Sequence, residues 1–300
     1  MKRSILLYNT QAGKGEIEKN IPHIVEIFSD KGYDLTPVRI MFDHNPFDGW
    51  EDVDLAVVAG GDGTLNYVVN ALMLKGISVA LAVIPAGTAN DFAGAIGMSP
   101  NMLKAARQIV SGEVESIDCG KIEHIGKKGD EIKYFINIFS FGIFTTTSQH
   151  TPAELKYRVG RMAYGITALK ELRRLHGIPL TIKTDAEEFY YPTLMGLVFN
   201  GETAGRMPLA RRSSLRDGVF DCLFLRKRDT LLQSATDMLF YMLGIRTRAV
   251  RYLRTSQLKL LTPIDVDTDV DGQSGGHFPM KVSCLHRALN VVCPRDKDIM

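Results

Sequence analysis

The first third of the chain alternates continuous apolar runs with stretches of helical spacing. Residues 4–8 read as a buried strand. Residues 16–31 read as a helix, with Ile17, Ile21, Ile24, Val25 and Phe28 on one face. A second strand is expected at 33–41 and continuous apolar strands at 55–59 and 78–84. Helical spacing returns at 64–75 and 101–111, and 43–52, with Pro46, Gly49 and Trp50, reads as loop. Buried strands alternating with helices predict a parallel sheet covered on both faces.

The pattern changes near Glu113. Strands are predicted at 113–123, 133–139, 179–184, 193–200, 219–225, 257–261, 264–270 and 289–293, interrupted by helices at 152–175 and 230–243. This predicts an α/β domain over 1–120, followed by a β-rich sandwich over 121–285. No Pro/Ser linker or internal repeat separates them, so the domains should be closely apposed, with a ligand cleft between.

Composition narrows the class. The chain has 300 residues, 45% hydrophobic and 23% charged, which excludes a disordered tail, a collagen-like fibre and a disulfide scaffold. The net charge of +2 is a cancellation: residues 1–150 carry 13 Lys+Arg against 18 Asp+Glu, and residues 151–300 carry 23 against 16. Cys119, Cys222, Cys284 and Cys293 form no CxxC pair, so a zinc knuckle or redox motif is not expected and reduced thiols are. The N-terminus lacks the apolar stretch of a signal peptide, and no run reaches a membrane span. A cytoplasmic protein is expected.

Three loops carry candidate chemistry, and all should meet at one edge of the sheet. Gly60-Gly61-Asp62-Gly63-Thr64-Leu65-Asn66 follows a buried strand and opens a helix. Its glycines let backbone approach a ligand, and the helix-start amides favour an anion, most naturally a phosphate. Asp62 would repel bare phosphate, so it must hold a metal, a ribose hydroxyl or the turn itself. Thr64 is an N-cap or a phosphate donor. The second loop, 84–93, offers the Gly87 amide and the Thr88 hydroxyl, with Asn90 and Asp91 opening a short helix. The third is Asn9 with Gly13-Lys14-Gly15, which lacks Walker A spacing.

Together these residues resemble the diacylglycerol kinase catalytic family, which includes bacterial lipid kinases and sphingosine and ceramide kinases. The resemblance runs nearly end to end, on 9–15, 60–66, 85–93, 217–221 and 271–273. It implies a nucleotide-binding α/β domain of the NAD kinase and phosphofructokinase kind, a β-rich lipid-binding domain, and a final strand within 286–300 returning to the first domain. It implies an ATP- and Mg²⁺-dependent kinase moving the γ-phosphate to a lipid hydroxyl, with diacylglycerol the first candidate. Asn9, Gly13, Lys14, Gly60, Gly61, Asp62, Gly63, Thr64, Asn66, Gly87, Thr88 and Asn90 would then line the ATP site. Asp217, with backbone carbonyls near Ser214 and Val219, would match a structural magnesium site. Without the resemblance, Asp217-Gly218 reads as a hairpin turn.

The sequence departs from the family at two positions that matter. The usual Asp-Gly-Glu is Asp271-Gly272-Gln273 here, and a neutral amide cannot replace the Glu general base. Tyr67 stands where many members have Glu. Asp271 is expected to orient or deprotonate the acceptor alcohol, with Gln273 as a hydrogen-bonding substitute. Asp267, Asp269 and Asp271 recur with period two, so a strand at 264–270 would put three carboxylates on one face. The EF-hand look of 267–272 fails, because position twelve is Phe278 and no helices flank it.

Basic residues of the second half cluster at 156–174 (Lys156 to Arg174), at Arg206, Arg211, Arg212 and Arg216, and at Arg246, Arg248, Arg251 and Arg254. With interleaved aromatics they suit an anionic membrane; no nucleic-acid motif accompanies them. Peripheral contact with the inner membrane surface is expected, and a homodimer stays open. Two rivals remain. An NAD kinase would need an Asn-Glu pair, which the sequence lacks. A nucleotide- or lipid-binding pseudokinase would use Gln273 as the mark of lost chemistry.

Overall fold

The computed structural model describes residues 1–10, 12–125, 131–143, 177–201, 210 and 213–295. The helix expected at 152–175 and the basic residues at 156–174 and at Arg206, Arg211 and Arg212 lie outside them.

The first unit is the predicted parallel sheet. Strands β1 (Lys2–Tyr8), β2 (Tyr33–Arg39), β3 (Leu55–Gly60) and β4 (Ala80–Pro85) lie in the order β2-β1-β3-β4, all parallel. β3 is buried along its whole length, as a central strand with both faces covered must be. Helix α1 (Glu16–Ser29) buries Ile17, Ile24 and Phe28 and packs against α4 (Met102–Ser111). Helix α2 (Asp62–Lys75) lies against β3, and α3 (Asp91–Ala95) is one short turn after β4. α2 starts two residues earlier than the spacing predicts, inside the glycine-rich loop.

Two long strands join the units. β5 (Glu113–His124) and β15 (Met280–Cys293) pair antiparallel from Cys293↔Glu113 to Met280↔His124. One end of the pair contributes Ile117, Cys119, Leu289 and Val291 to the core under the parallel sheet. The other end contributes Ile122, Met280 and Val282 to the second core. The last residues of β15 pair parallel with β4 at Asn290 and Val291. Residue 120 therefore falls inside a continuous strand, and the units are stiffly coupled rather than hinged on a linker. The pattern at 289–293 shows only the end of β15, because its earlier part alternates and bulges between Leu285 and Leu289.

The second unit comprises β6 (Ile132–Phe135), β7 (Ile138–Gly142), β8 (Ile178–Lys183), β9 (Glu188–Phe199), β10 (Phe220–Arg226), β11 (Val250–Thr255), β12 (Gln257–Leu261), β13 (Thr268–Val270) and β14 (Gln273–Ser274). Its interior is aromatic: Phe135 stacks on Phe220 at 5.4 Å, and Phe139, Phe141 and Phe224 continue the row. The outer face of β9 and β10 forms a smaller core with Met195, Leu197 and Leu223, on which α5 (Leu231–Met242) packs. Thr230 and Gln233 close a capping box at the start of α5, as Ser/Thr-x-x-Glu/Gln sequences do.

Three strand expectations change. The run 133–139 is two strands, broken at Ile136-Asn137. The strand expected at 264–270 is only Thr268–Val270, so Asp267, Asp269 and Asp271 do not share a strand face. β11 has no counterpart in the sequence reading, because Arg251 and Arg254 interrupt its apolar positions.

Candidate active site

β1, β3 and β4 end side by side, and their loops touch. The Ala86 amide donates to the Gly60 carbonyl (2.9 Å), the Asn9 amide donates to the Ala59 carbonyl (3.2 Å), and Asn9 Nδ2 donates to Thr64 Oγ1 (3.1 Å). A Cβ on Gly87 would stand 2.4 Å from the Gly61 Cα, so glycine at both positions is what lets the two turns nest. The parallel sheet thus presents Asn9, the Gly60–Thr64 corner and the Gly87 turn at its carboxyl edge, where open α/β sheets bind ligands. Gly13 and Lys14 lie in the 3-10 turn Ala12–Gly15 that leads into α1; the Lys14 side chain is outside the described part.

The helices that start at this edge lack side-chain caps. α1 begins at Gly15, α2 at Gly61 and α3 at Asn90, and none of these three residues caps its own helix with a side chain; the first turn of α3 is held instead by Asp62, which accepts from the Phe92 amide. α4 and α5 start elsewhere and are capped by Asn101 and Thr230. An uncapped helix start leaves orphan N–H donors and a positive dipole end. Of the three, α2 opens directly from the glycine corner at the end of β3, which makes it the candidate anion site.

Asp62 stands in the first turn of α2 and accepts a hydrogen bond from the Phe92 amide (3.2 Å). It therefore ties the two ligand loops together. Burial pushes its carboxyl above its ordinary pKa, against the pull of that amide. A carboxylate in this setting is stabilised by a cation. Asn90, in the left-handed region at φ 52°, accepts from the Gly87 amide and donates to the Gly87 carbonyl, both at 2.9 Å. It shapes the loop, and it occupies the Gly87 amide that the sequence reading offered to the nucleotide. Thr88 is exposed at the rim.

In the second unit, Asp271 and Gly272 form a two-residue hairpin between β13 and β14, with φ of 49° and 86°. Asp-Gly suits such a turn because both residues need positive φ. The Asp271 carboxylate points inward. Oδ2 accepts from the Ile136 amide (2.8 Å) and Asn66 Nδ2 (2.9 Å); Oδ1 accepts from the Ile138 amide (2.8 Å) and the Asn137 amide (3.0 Å). These amides are the break between β6 and β7, so Asp271 is the reason the chain can turn there without orphaned donors. Burial pushes its pKa up to about 6, against those four bonds. All four acceptor positions are filled, so this carboxylate anchors the turn and is not presented to a substrate hydroxyl.

Asn66 is likewise turned away from the glycine corner. It is buried, donates to Asp271 and to the Tyr134 carbonyl, and accepts from Asn70. Asn70 and Tyr134 complete this bridge between α2 and β6 through the Tyr134 amide, which donates to Asn70 Oδ1. The sequence reading missed both; the only available signal was the i, i+4 spacing of Asn66 and Asn70.

The bridge aims Gln273. A Cβ on Gly63 would lie 2.6 Å from Gln273 Nε2, so the amide of Gln273 stands over the open first turn of α2. Tyr67 follows on the same helix and donates to the Met41 and His44 carbonyls at 3.2 and 2.6 Å. It holds the loop after β2 in place.

The Asp217 loop has its own set of partners. Asp217 accepts from the Arg254 guanidinium and, at 3.2 Å, from the Val219 amide, while Ser214 Oγ accepts from the Arg216 amide. Fully buried Asp118 accepts from the Gly218 amide (2.7 Å), the Arg287 amide (2.7 Å) and His286 Nδ1 (2.8 Å). This carboxylate, unnoticed in the sequence, fixes the loop against β15.

A family model described as the diacylglycerol kinase catalytic domain matches residues 3–122, and one described as the YegS C-terminal NAD kinase beta sandwich-like domain matches 137–293. A diacylglycerol kinase of Bacillus subtilis (strain 168) is 30% identical over 99% of this chain and 98% of its own length. The chain belongs to the diacylglycerol kinase catalytic-domain family. A diacylglycerol kinase of Staphylococcus aureus (strain MRSA252) is also 30% identical, over 98% of this chain and 93% of its own. Two solved structures from Bacillus anthracis (strain Sterne) share the fold. One matches with TM-score 0.81 at 24% identity, over 97% and 95% of the two chains. The other, a diacylglycerol kinase, matches with TM-score 0.71 at 22% identity, over 97% of each. The family is one of phosphotransferases acting on an alcohol group, and this chain is a lipid kinase of that class, not a binding module without chemistry.

Kinases of this class imply magnesium with the nucleotide. Mg²⁺ takes hard oxygen ligands and is usually held by one or two carboxylates plus substrate phosphates. Asp62, beside the phosphate corner and penalised by burial, fits that description. The Asp217 loop fits less well, because its carboxylate is already held by Arg254. Among the described residues no three His, Cys, Asp or Glu side chains cluster as a metal site.

Proposed function

We propose that this chain transfers the γ-phosphate of ATP to the hydroxyl of diacylglycerol, with Mg²⁺ as cofactor, while touching an anionic membrane from which the lipid is drawn. The observation that carries this reading is the convergence at one cleft of the uncapped start of α2, Asp62 and the Gln273 amide. The polyphosphate would lie against the start of α2 at Gly61–Gly63, with the Thr64 hydroxyl, Asn9 and Thr88 at its flanks. Asp62 would hold Mg²⁺ with the phosphate oxygens; the ion supplies charge neutralisation there.

In the reaction a bond forms between the lipid oxygen and the γ-phosphorus, and the bond to the bridging β,γ-oxygen breaks. The hydroxyl proton leaves to solvent. Gln273 would donate an N–H to the transferring phosphoryl group, which a Glu at that position could not do in its ionised form. Asp271 acts as a positioning residue, through the β6–β7 break and Asn66. Transition states of phosphoryl transfer are usually loose, and positioning and charge neutralisation do most of the work. General base catalysis is worth about 10²- to 10⁴-fold, so its absence slows the reaction without removing it.

The decisive test is radiolabelled ATP with a total lipid extract and with short-chain diacylglycerol. Label in phosphatidic acid is expected, and ATP binding without any labelled lipid would refute the kinase reading. Gln273→Glu is expected to slow transfer at neutral pH, with the rate recovering as pH falls and the new carboxyl gains a proton it can donate. A faster, base-assisted variant would contradict the donor role of Gln273.

A further inference from the structure

Helix α5 carries apolar side chains on two faces, and the fold uses one of them. Ser234, Met238 and Tyr241 share a face at helical spacing; Ser234 is buried, and Met238 and Tyr241 pack on the outer core of β9 and β10. Leu232, Leu239 and Leu243 lie on another face, at 78%, 54% and 67% exposure, with Phe240 beside them at 40%. Met242 and Ile245 extend the exposed apolar surface past the end of the helix. Single exposed leucines are ordinary, but a contiguous exposed set marks an interaction surface.

Charge identifies what the surface meets. Residues 238–255 contain Arg246, Arg248, Arg251 and Arg254 and no Asp or Glu. Arg251 is held by Glu187, and Arg254 by Asp217 and Asp221. Arg246 and Arg248 are exposed, and neither forms an ion pair among the described residues. The apolar tip is thus followed directly by two open cations. That order matches an interfacial membrane element, with apolar side chains at the acyl boundary and arginines at anionic headgroups. A second copy of the chain fits poorly, because an isologous contact sets the same patch against itself and would crowd four arginines.

We infer that the outward face of α5, with the segment through Arg248, docks on an anionic bilayer and inserts its leucines shallowly. The inference rests on the lipid-kinase reading only in taking the acceptor to be a membrane lipid. It goes beyond general basic attraction by naming an apolar element and its cationic rim.

Cosedimentation of the full chain with phosphatidylcholine vesicles, with and without phosphatidylglycerol, tests it directly. The wild type is expected to bind the phosphatidylglycerol vesicles, and less so at high salt. The double variants L239E/L243E and R246E/R248E should each weaken that binding by about tenfold or more. Their circular dichroism, and their turnover of a water-soluble short-chain diacylglycerol, should match the wild type. Variants that bind vesicles as the wild type does would overturn the inference. So would a wild type that binds neither vesicle, or an L239E/L243E chain that loses only self-association in sedimentation. Vesicle binding is read without catalysis, so a chain that labels no lipid at all would sink the kinase reading and leave this measurement intact.

Discussion

The Gly60–Thr64 corner and the Asp271–Gln273 turn meet through Gly63 and Asn66 and use the same groups in opposite ways. At the corner, α2 starts at Gly61, which has no side chain to cap the helix. At the turn, a side-chain acceptor points inward and backbone donors of Ile136, Asn137 and Ile138 fill it. An open set of donors awaits a ligand, whereas a filled carboxylate is architecture. The lesson is that an Asp in a motif is assigned by its hydrogen-bond occupancy. By that measure Asp62 is the candidate for the chemistry proposed above, and Asp271 belongs to the frame.

The most severe way to break this comparison is Asp62→Asn. It should lower kcat by about 10²-fold or more, as removal of a transition-state charge partner does, while thermal stability stays close to wild type. A large loss of stability with intact turnover would reverse the roles assigned to the two aspartates.

Asp271→Asn should follow, with activity falling as Gln273 loses its support. An amide cannot accept from four donors, so stability at neutral pH should drop by about 1–3 kcal/mol. The pH dependence separates this from a catalytic role. The folded-state pKa of Asp271 is raised from 3.8 to about 6. Its favourable contribution is therefore complete below the unfolded value and is lost as pH rises through about 6. Denaturant titrations between pH 4 and 7 should show wild-type stability declining relative to Asp271→Asn by up to about 3 kcal/mol. Parallel curves would mean that the four hydrogen bonds cancel the cost of burial.

A gentler probe is Gly63→Ala. The new methyl would displace only the far end of Gln273, and alanine favours helix over glycine by about 1 kcal/mol. Stability should hold or rise, while transfer to lipid falls by about tenfold through the displaced donor. Unchanged kinetics would remove Gln273 from the mechanism. The smallest effect is expected for Tyr67→Phe, which frees the Met41 and His44 carbonyls. It should cost about 0.5–1.5 kcal/mol, seen as a modest shift in denaturation midpoint, and should alter KM for ATP more than kcat.

How far the sequence was legible depended on how local each feature is. The strand–glycine–helix corner is encoded in seven consecutive residues, and hydrophobic period alone separates the parallel sheet from the β-rich half. Strand 133–139 was misread because its break depends on Asp271, more than 130 residues away. β11 was hidden by its arginines. Asn66 was placed with the nucleotide because the motif is contiguous, yet a helix turns successive side chains by about 100° and sends this one to the other unit. Asp118, Asn70 and Tyr134 carry no local signature, since each matters only through a partner brought by another strand.

The sequence by itself determined the fold class and the strand–glycine–helix corner at the carboxyl edge of the parallel sheet. These follow from short-range periodicity and backbone freedom, which any window of the chain expresses. Tertiary structure decided that Asp271 is spent inside, that Gln273 lies over Gly63 and that α5 keeps a second apolar face outward. Each of these depends on which donors, acceptors and surfaces are already occupied, and occupancy is settled only when distant strands close on one another.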